Sequence, residues 1–90
     1  MSAMLKDVVQ VRALPGRRLW LRFQDGATGV VDVGTLVRFD GVFAPLADDE
    51  FFARVRVHEE THSVCWPNDA DLDSDVLYSL ATGTPLPSFE

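Results

Sequence analysis

The chain has 90 residues, 47% hydrophobic and 24% charged, with a formal net charge of -6 and one cysteine. That length fits one domain, and the composition is that of a folded chain rather than a disordered one. No apolar run approaches the ~20 residues a membrane helix needs, a single Cys cannot close an internal disulfide, and no repeat is present. The charge is unevenly spread: residues 1–45 hold 6 basic and 4 acidic side chains, net +2, and residues 46–90 hold 2 and 10, net -8. The N-terminus lacks the charged start and apolar stretch of a signal peptide, and so few cysteines fit the cytoplasm, which is the expected compartment.

In chain order, Leu5 to Leu14 reads as a strand with Val9, Val11 and Ala13 on one face and Val8, Gln10 and Arg12 on the other. Pro15-Gly16 is a turn. Arg18 to Phe23 alternates, with Leu19, Leu21 and Phe23 on one side and Arg18, Trp20 and Arg22 on the other. Asp25-Gly26 predicts a type I′ hairpin turn into a third strand, Thr28 to Asp32. Val33 to Arg38 can make one or two helical turns after an Asp32 cap, and Gly41 to Leu46 reads as an apolar loop broken by Gly and Pro. Asp48 caps a short helix whose first turn carries Asp49 and Glu50 and whose buried side is Phe51 and Phe52. Arg54 to Glu59 alternates again, with Val55 and Val57 inward and Arg54, Arg56 and His58 outward, and Ser63 to Trp66 is a last strand ended by Pro67. Asp73 caps a helix from Ser74 to about Ala81 that turns Val76, Leu77 and Leu80 to the core and stops at Gly83 and Pro85. The expected fold is α+β: one antiparallel sheet of about five strands with short helices on one face. The domain should span residues 1–83, with 84–90 as a loosely held tail.

Few residue clusters suggest chemistry. Asp69, Asp71, Asp73 and Asp75 resemble the opening of a calcium loop, but its sixth and twelfth positions would be Ser74 and Leu80 rather than Gly and Glu. Helix capping accounts for Asp73 and first-turn charge for Asp75, and Asp71 reads as an acid bracing loop amides. Cys65 lacks an electropositive setting, since Glu59 and Glu60 lie nearby. His58 and His62 have one zinc spacing but no Cys pair. No catalytic residue, cofactor or metal is therefore expected, and the chain is read as a non-enzyme. What remains is the face of Arg18, Trp20 and Arg22, with a second basic row at Arg54 and Arg56. Arginine beside an aromatic suits a protein interface, or less well a single-stranded nucleic acid, which the overall acidity repels.

The chain resembles a small bacterial family known as domain of unknown function 2442, over about residues 5 to 80. Carrying the resemblance are Asp25-Gly26 with Asp32, Gly41-Val42-Phe43, Pro45-Leu46, Val55 and Val57, and above all Trp66-Pro67-Asn68, Ala70-Asp71-Leu72 and Leu77-Tyr78. The family usually has Gly at the position of Asp69 and often Pro at that of Ser74. The resemblance implies a small α+β domain with an antiparallel sheet. It implies no catalytic residue. Genes of such proteins often lie beside one for a second small protein, an arrangement resembling toxin–antitoxin pairs.

The expectation is a protein–protein interaction module, antitoxin-like, whose partner is another small protein encoded by a neighbouring gene. Its surface would be Arg18, Trp20 and Arg22 together with Asp69 and Asp71, with the acidic C-terminal side chains (Asp69, Asp71, Asp73 and Asp75) and the Trp20 face docking on a basic partner. Trp66, Pro67, Asn68 and Asp73 would be structural. A nucleic-acid adaptor using Arg18, Arg22, Arg54 and Arg56 is the alternative. An exposed sheet edge and Trp20 raise the expectation of a homodimer, and no membrane partner is expected.

Overall fold

In the computed structural model, which describes residues 7–83, six strands and two α-helices follow one another. The first three strands, β1 (Val8–Leu14), β2 (Arg18–Phe23) and β3 (Thr28–Asp32), form an antiparallel meander. After helix α1 (Asp49–Phe52), strands β4 (Arg56–Val57), β5 (Val64–Cys65) and β6 (Asp71–Leu72) form a second antiparallel sheet. Helix α2 (Ser74–Thr82) closes the described chain. The α+β class and the antiparallel meander hold, but the strands form two sheets of three rather than one of about five. The segment expected as a fourth strand from Arg54 pairs only at Arg56–Val57, and only with its own hairpin partner β5. Strand β6 was hidden because its stretch is short and rich in Asp, a residue depleted in strands. Leu5, Lys6 and the tail 84–90 lie outside the described residues. No helix among the described residues is long and apolar enough to cross a membrane.

The first strand corrects the expected side-chain phase. The β1–β2 register shifts between Val8 and Gln10, so Val9 is an extra residue, 51% exposed. Such a bulge moves everything before it to the other face. Val8 thereby sits opposite Phe23 and joins the core, on the side of Val11 and Ala13, which oppose Leu21 and Leu19. In β2 the expected alternation holds, with Leu19, Leu21 and Phe23 buried.

The β2–β3 turn also differs from expectation. Phe23 N–H donates to the Ala27 carbonyl at 2.8 Å, and Gly26 N–H to the Phe23 carbonyl at 2.9 Å. Only Gly26 has positive φ (90°), so the loop is a three-residue turn with one left-handed residue instead of a type I′ pair.

Between the sheets, Asp32 caps a 3₁₀ turn at Val33–Thr35, its carboxylate accepting from Gly34 N–H at 2.9 Å. The apolar stretch read as a loop is a 3₁₀ helix, Gly41–Ala47, that contains Pro45 and buries Leu46. Asp48 caps α1 through Phe51 N–H, and Phe52 is buried there while Phe51 is half-buried. Asp73 caps α2 through Asp75 N–H, and Gly83 ends it at φ 76°. Leu77 is buried as expected, but Leu80 is 47% exposed, and Tyr78 and Ala81 pack on the core instead. Position 80 falls off the buried stripe because α2 lies on β3 through Ala81. A Cβ on Gly29 would come within 2.3 Å of the Ala81 carbonyl oxygen, so only glycine admits the helix this close. One core joins Leu19, Leu21, Phe23 and Val31 of the first sheet to Val64, Trp66 and Leu72 of the second.

Candidate functional site

Strand alternation dictates one face of the first sheet that the core does not use. Cross-strand register arranges it in three rows: Leu14, Arg18 and Asp32; Arg12, Trp20 and Val30; Gln10, Arg22 and Thr28. Leu14, Trp20 and Val30 neither belong to the core nor pack against it. Trp20 and Leu14 are half-buried and Val30 is 47% exposed. Beside Trp20, a shallow depression of about 400 Å³ is lined by Arg12, Leu14 and Trp20. Arg12, Arg18 and Arg22 are exposed around this centre. Arg18 is held in place by its Nε, which donates to the Pro15 carbonyl at 2.9 Å. Alternation along β2 shows Arg18, Trp20 and Arg22 in the sequence; that Arg12 stands beside Trp20 follows only from the β1–β2 pairing, which no single strand reveals.

The acids expected to share this surface lie elsewhere. Asp71 is an exposed residue of β6 paired with Cys65, not a loop brace, and Asp69 stands in the turn before it. Arg54 and Arg56 belong to the segment entering the second sheet and to β4, so the two basic rows are on different sheets.

The Trp66-Pro67-Asn68 stretch is a structural clasp. The buried indole of Trp66 donates to the Phe52 carbonyl at 3.0 Å and packs its ring against Phe52, with centroids 5.8 Å apart. Asn68 Nδ2 donates to the Val42 carbonyl at 2.8 Å while its Oδ1 accepts from Ala70 N–H at 3.2 Å. Asn68, not Asp71, braces this loop. Asp69 N–H donates to the Trp66 carbonyl at 3.0 Å and Trp66 N–H to the Ala70 carbonyl at 2.9 Å, with Asp69 at φ 71°. Asp69 thus holds a left-handed position, one that glycine occupies without strain.

Arg17 carried no signal in the sequence and proves to be a second clasp. It has φ 59°, and its guanidinium donates to the Asp49 carboxylate and the Ala47 carbonyl. It also lies 5.7 Å from the centroid of the Phe52 ring. A further link runs from Tyr78, whose hydroxyl donates to the Asp25 carboxylate. That bond, followed by the Ala27 N–H donated to Asp25, holds the Asp25 carboxyl below the usual carboxylate range. The same bond raises Tyr78 above the usual phenol range, since ionisation would forfeit it.

The residues considered for catalysis or zinc are occupied differently. His58 Nδ1 accepts from Glu60 N–H and Thr61 N–H at 3.1 and 3.2 Å, bracing the β4–β5 turn. His62 lies 3.5 Å from the Asp7 carboxylate. Cys65 is buried. Among the described residues no group of three His, Cys, Asp or Glu side chains is placed to hold a metal ion. A polar depression of about 390 Å³ lies along Arg56, Val57, His58, Glu59 and Glu60.

One protein family matches the chain, over residues 8–83: Protein of unknown function (DUF2442). The match spans most of the chain, which therefore belongs to that family. No curated protein and no solved structure matches it.

Proposed function

We propose that this member of the family is a non-enzymatic protein–protein interaction module that receives its partner on the open face of the first sheet. The carrying observation is the uncovered centre at Trp20, Leu14 and Val30, bordered by Arg12, Arg18 and Arg22. Tryptophan and arginine dominate interface hot spots because they combine large apolar area with directional hydrogen bonds. The border sets the partner's chemistry: a small protein that fills the depression beside Trp20 with an apolar side chain and presents carboxylates to the arginines. The acids of residues 46–90 repel such a partner elsewhere and so orient its approach. In its finer form, the reading makes the chain the antitoxin-like member of a two-gene system, masking its neighbour's product.

The test is calorimetric titration with the protein encoded beside it. Trp20→Ala and Arg22→Ala should each weaken binding by ~30-fold or more, as truncating a hot spot costs about 2 kcal/mol or more, and added salt should weaken it further. Asp71→Ala, on the other sheet, should leave it unchanged. Affinity unmoved by the Trp20 and Arg22 changes rejects the reading. A second reading rests on the same Trp20, which could stack a base of single-stranded nucleic acid between phosphate-binding arginines. The net charge of -6 opposes it, and the absence of a salt-dependent shift with single-stranded RNA or DNA would remove it.

A further inference from the structure

The two edges of the first sheet are treated differently. The β1 edge carries the bulge at Val9, and Val8 N–H donates to the His62 carbonyl of the β4–β5 turn at 3.0 Å. Bulges and covering segments are the usual means of blocking an edge. Among the described residues the β3 edge carries no bulge, and helix α2, which packs on β3, meets it at Gly29 on the core side rather than along the outward main chain of Val30. The β3 sequence, Thr28-Gly29-Val30-Val31-Asp32, contains no Lys and no Pro, and the strand pairs only with β2.

Register decides which main-chain groups this edge exposes. Phe23 N–H donates to the Ala27 carbonyl, and Val33 N–H to the Arg17 carbonyl, at the two ends of the β2–β3 ladder. Antiparallel ladders alternate, so Gly29 and Val31 direct their amides toward β2 while Thr28, Val30 and Asp32 direct theirs away from the sheet. Of those outward groups the Asp32 carbonyl accepts from the Thr35 hydroxyl at 2.8 Å. Among the described residues, no hydrogen bond from another element reaches the main chain of Thr28 or Val30.

We propose that β3 pairs antiparallel with β3 of a second copy of this chain, about a two-fold axis at Val30. Two features commit the edge to its own copy. The outward amide and carbonyl of Val30 meet their equivalents reciprocally, and the half-exposed Val30 side chains cover one another. The same axis sets Thr28 opposite Asp32 of the second copy, a hydroxyl donor against a carboxylate whose second oxygen is not used by Gly34. Arg22, the cross-strand neighbour of Thr28, then lies in the same row as that carboxylate, so charge is complementary along the row. The sheet becomes one of six strands, and the two Trp20 faces become one continuous surface. This inference goes beyond the interaction reading and does not depend on it.

The test uses the full chain without any partner. Sedimentation velocity up to about 1 mM, where even a Kd of ~100 µM fills most sites, should show the mass rising from 10.0 kDa to about twice that. Val30→Pro should abolish the dimer and leave the monomer's circular dichroism intact, because the Val30 amide faces away from β2. Val30→Lys, which sets like charges opposite each other, should raise the dissociation constant at least ~10-fold. Val30→Cys should give an oxidised covalent dimer, since opposed residues at such a site lie ~5.5 Å apart, within disulfide reach. A wild-type chain that stays monomeric, or a Val30→Lys chain that dimerises as well as wild type, overturns the proposal. A monomer that still binds its partner through Trp20 overturns only the dimer and leaves the interaction reading standing.

Discussion

Two short stretches, Phe23-Gln24-Asp25-Gly26-Ala27 and Trp66-Pro67-Asn68-Asp69-Ala70, build the same turn from different residues. In each, an aromatic residue exchanges main-chain bonds with the alanine and the residue before it, and an Asp or Asn side chain accepts from the alanine N–H. In each, the fourth residue has positive φ. Gly26 takes that conformation freely, whereas Asp69 takes it at a cost. Asp69→Gly is therefore expected to stabilise the fold by about 1 kcal/mol, seen as a rise of ~4–8 °C in Tm. An unchanged or lower Tm would contradict the strain. The other side-chain atom of each Asp or Asn reaches across the fold, to Tyr78 in one case and to Val42 in the other. The Asp25–Tyr78 link predicts a pH dependence at both extremes. With its folded pKa lowered, Asp25 contributes stability that is present above the usual carboxylate range and lost as pH falls below about 4. With its folded pKa raised, Tyr78 contributes stability that is present below the usual phenol range and lost as pH climbs beyond about 10. Tyr78→Phe should flatten both limbs of the Tm–pH curve and move the Asp25 carboxyl titration upward by NMR. Unchanged limbs would mean that the bond does not persist in solution.

At the scale of elements, the α-helices were legible because capping is local: Asp48, Asp73 and Gly83 each signal their role within a few residues. The same locality explains the misreadings. A bulge at Val9, a partner for β4 and the close approach of α2 to β3 depend on contacts between distant residues, and no window of sequence contains both. Gly29 shows this best: in sequence it is one more glycine near a turn, and in the fold it is the seat of Ala81. Gly29→Ala should force α2 away from β3 and destabilise the fold by about 2–3 kcal/mol in chemical denaturation, the upper part of what overpacking costs. A change near zero would show that α2 is free to shift. Trp66→Phe should keep the ring packing but leave the Phe52 carbonyl without its donor, at a cost of about 1–3 kcal/mol. The Arg and Trp face was legible from period-two alternation, while the Arg17 clasp was not, since a lone turn arginine resembles any exposed one.

On the scale of the whole molecule, the two small sheets are stabilised by a shared core, because Leu19, Leu21 and Val31 pack in one cluster with Val64, Trp66 and Leu72. Neither sheet buries enough alone to stand independently, so unfolding should be a single transition. The two tryptophans allow a direct check, since Trp20 lies in the first sheet and Trp66 directly follows β5 of the second. In Trp20→Phe and in Trp66→Phe, the remaining tryptophan's fluorescence and the far-ultraviolet circular dichroism should give the same denaturant midpoint within each variant. Separate midpoints would divide the chain into two cooperative units.

The placement of Cys65 gives the molecule a clock of its own. The thiol lies buried on the middle strand of the second sheet, between Arg56 and Asp71. The thiol lies outside the shared core and its register partners are both exposed, so an alkylating reagent can meet it once the side chains covering that face move aside. Because the chain has no other thiol, the labelling rate counts openings around Cys65 in the native protein without any added probe. Compared with global unfolding measured in denaturant, that count tells whether the chain opens piecemeal or all at once.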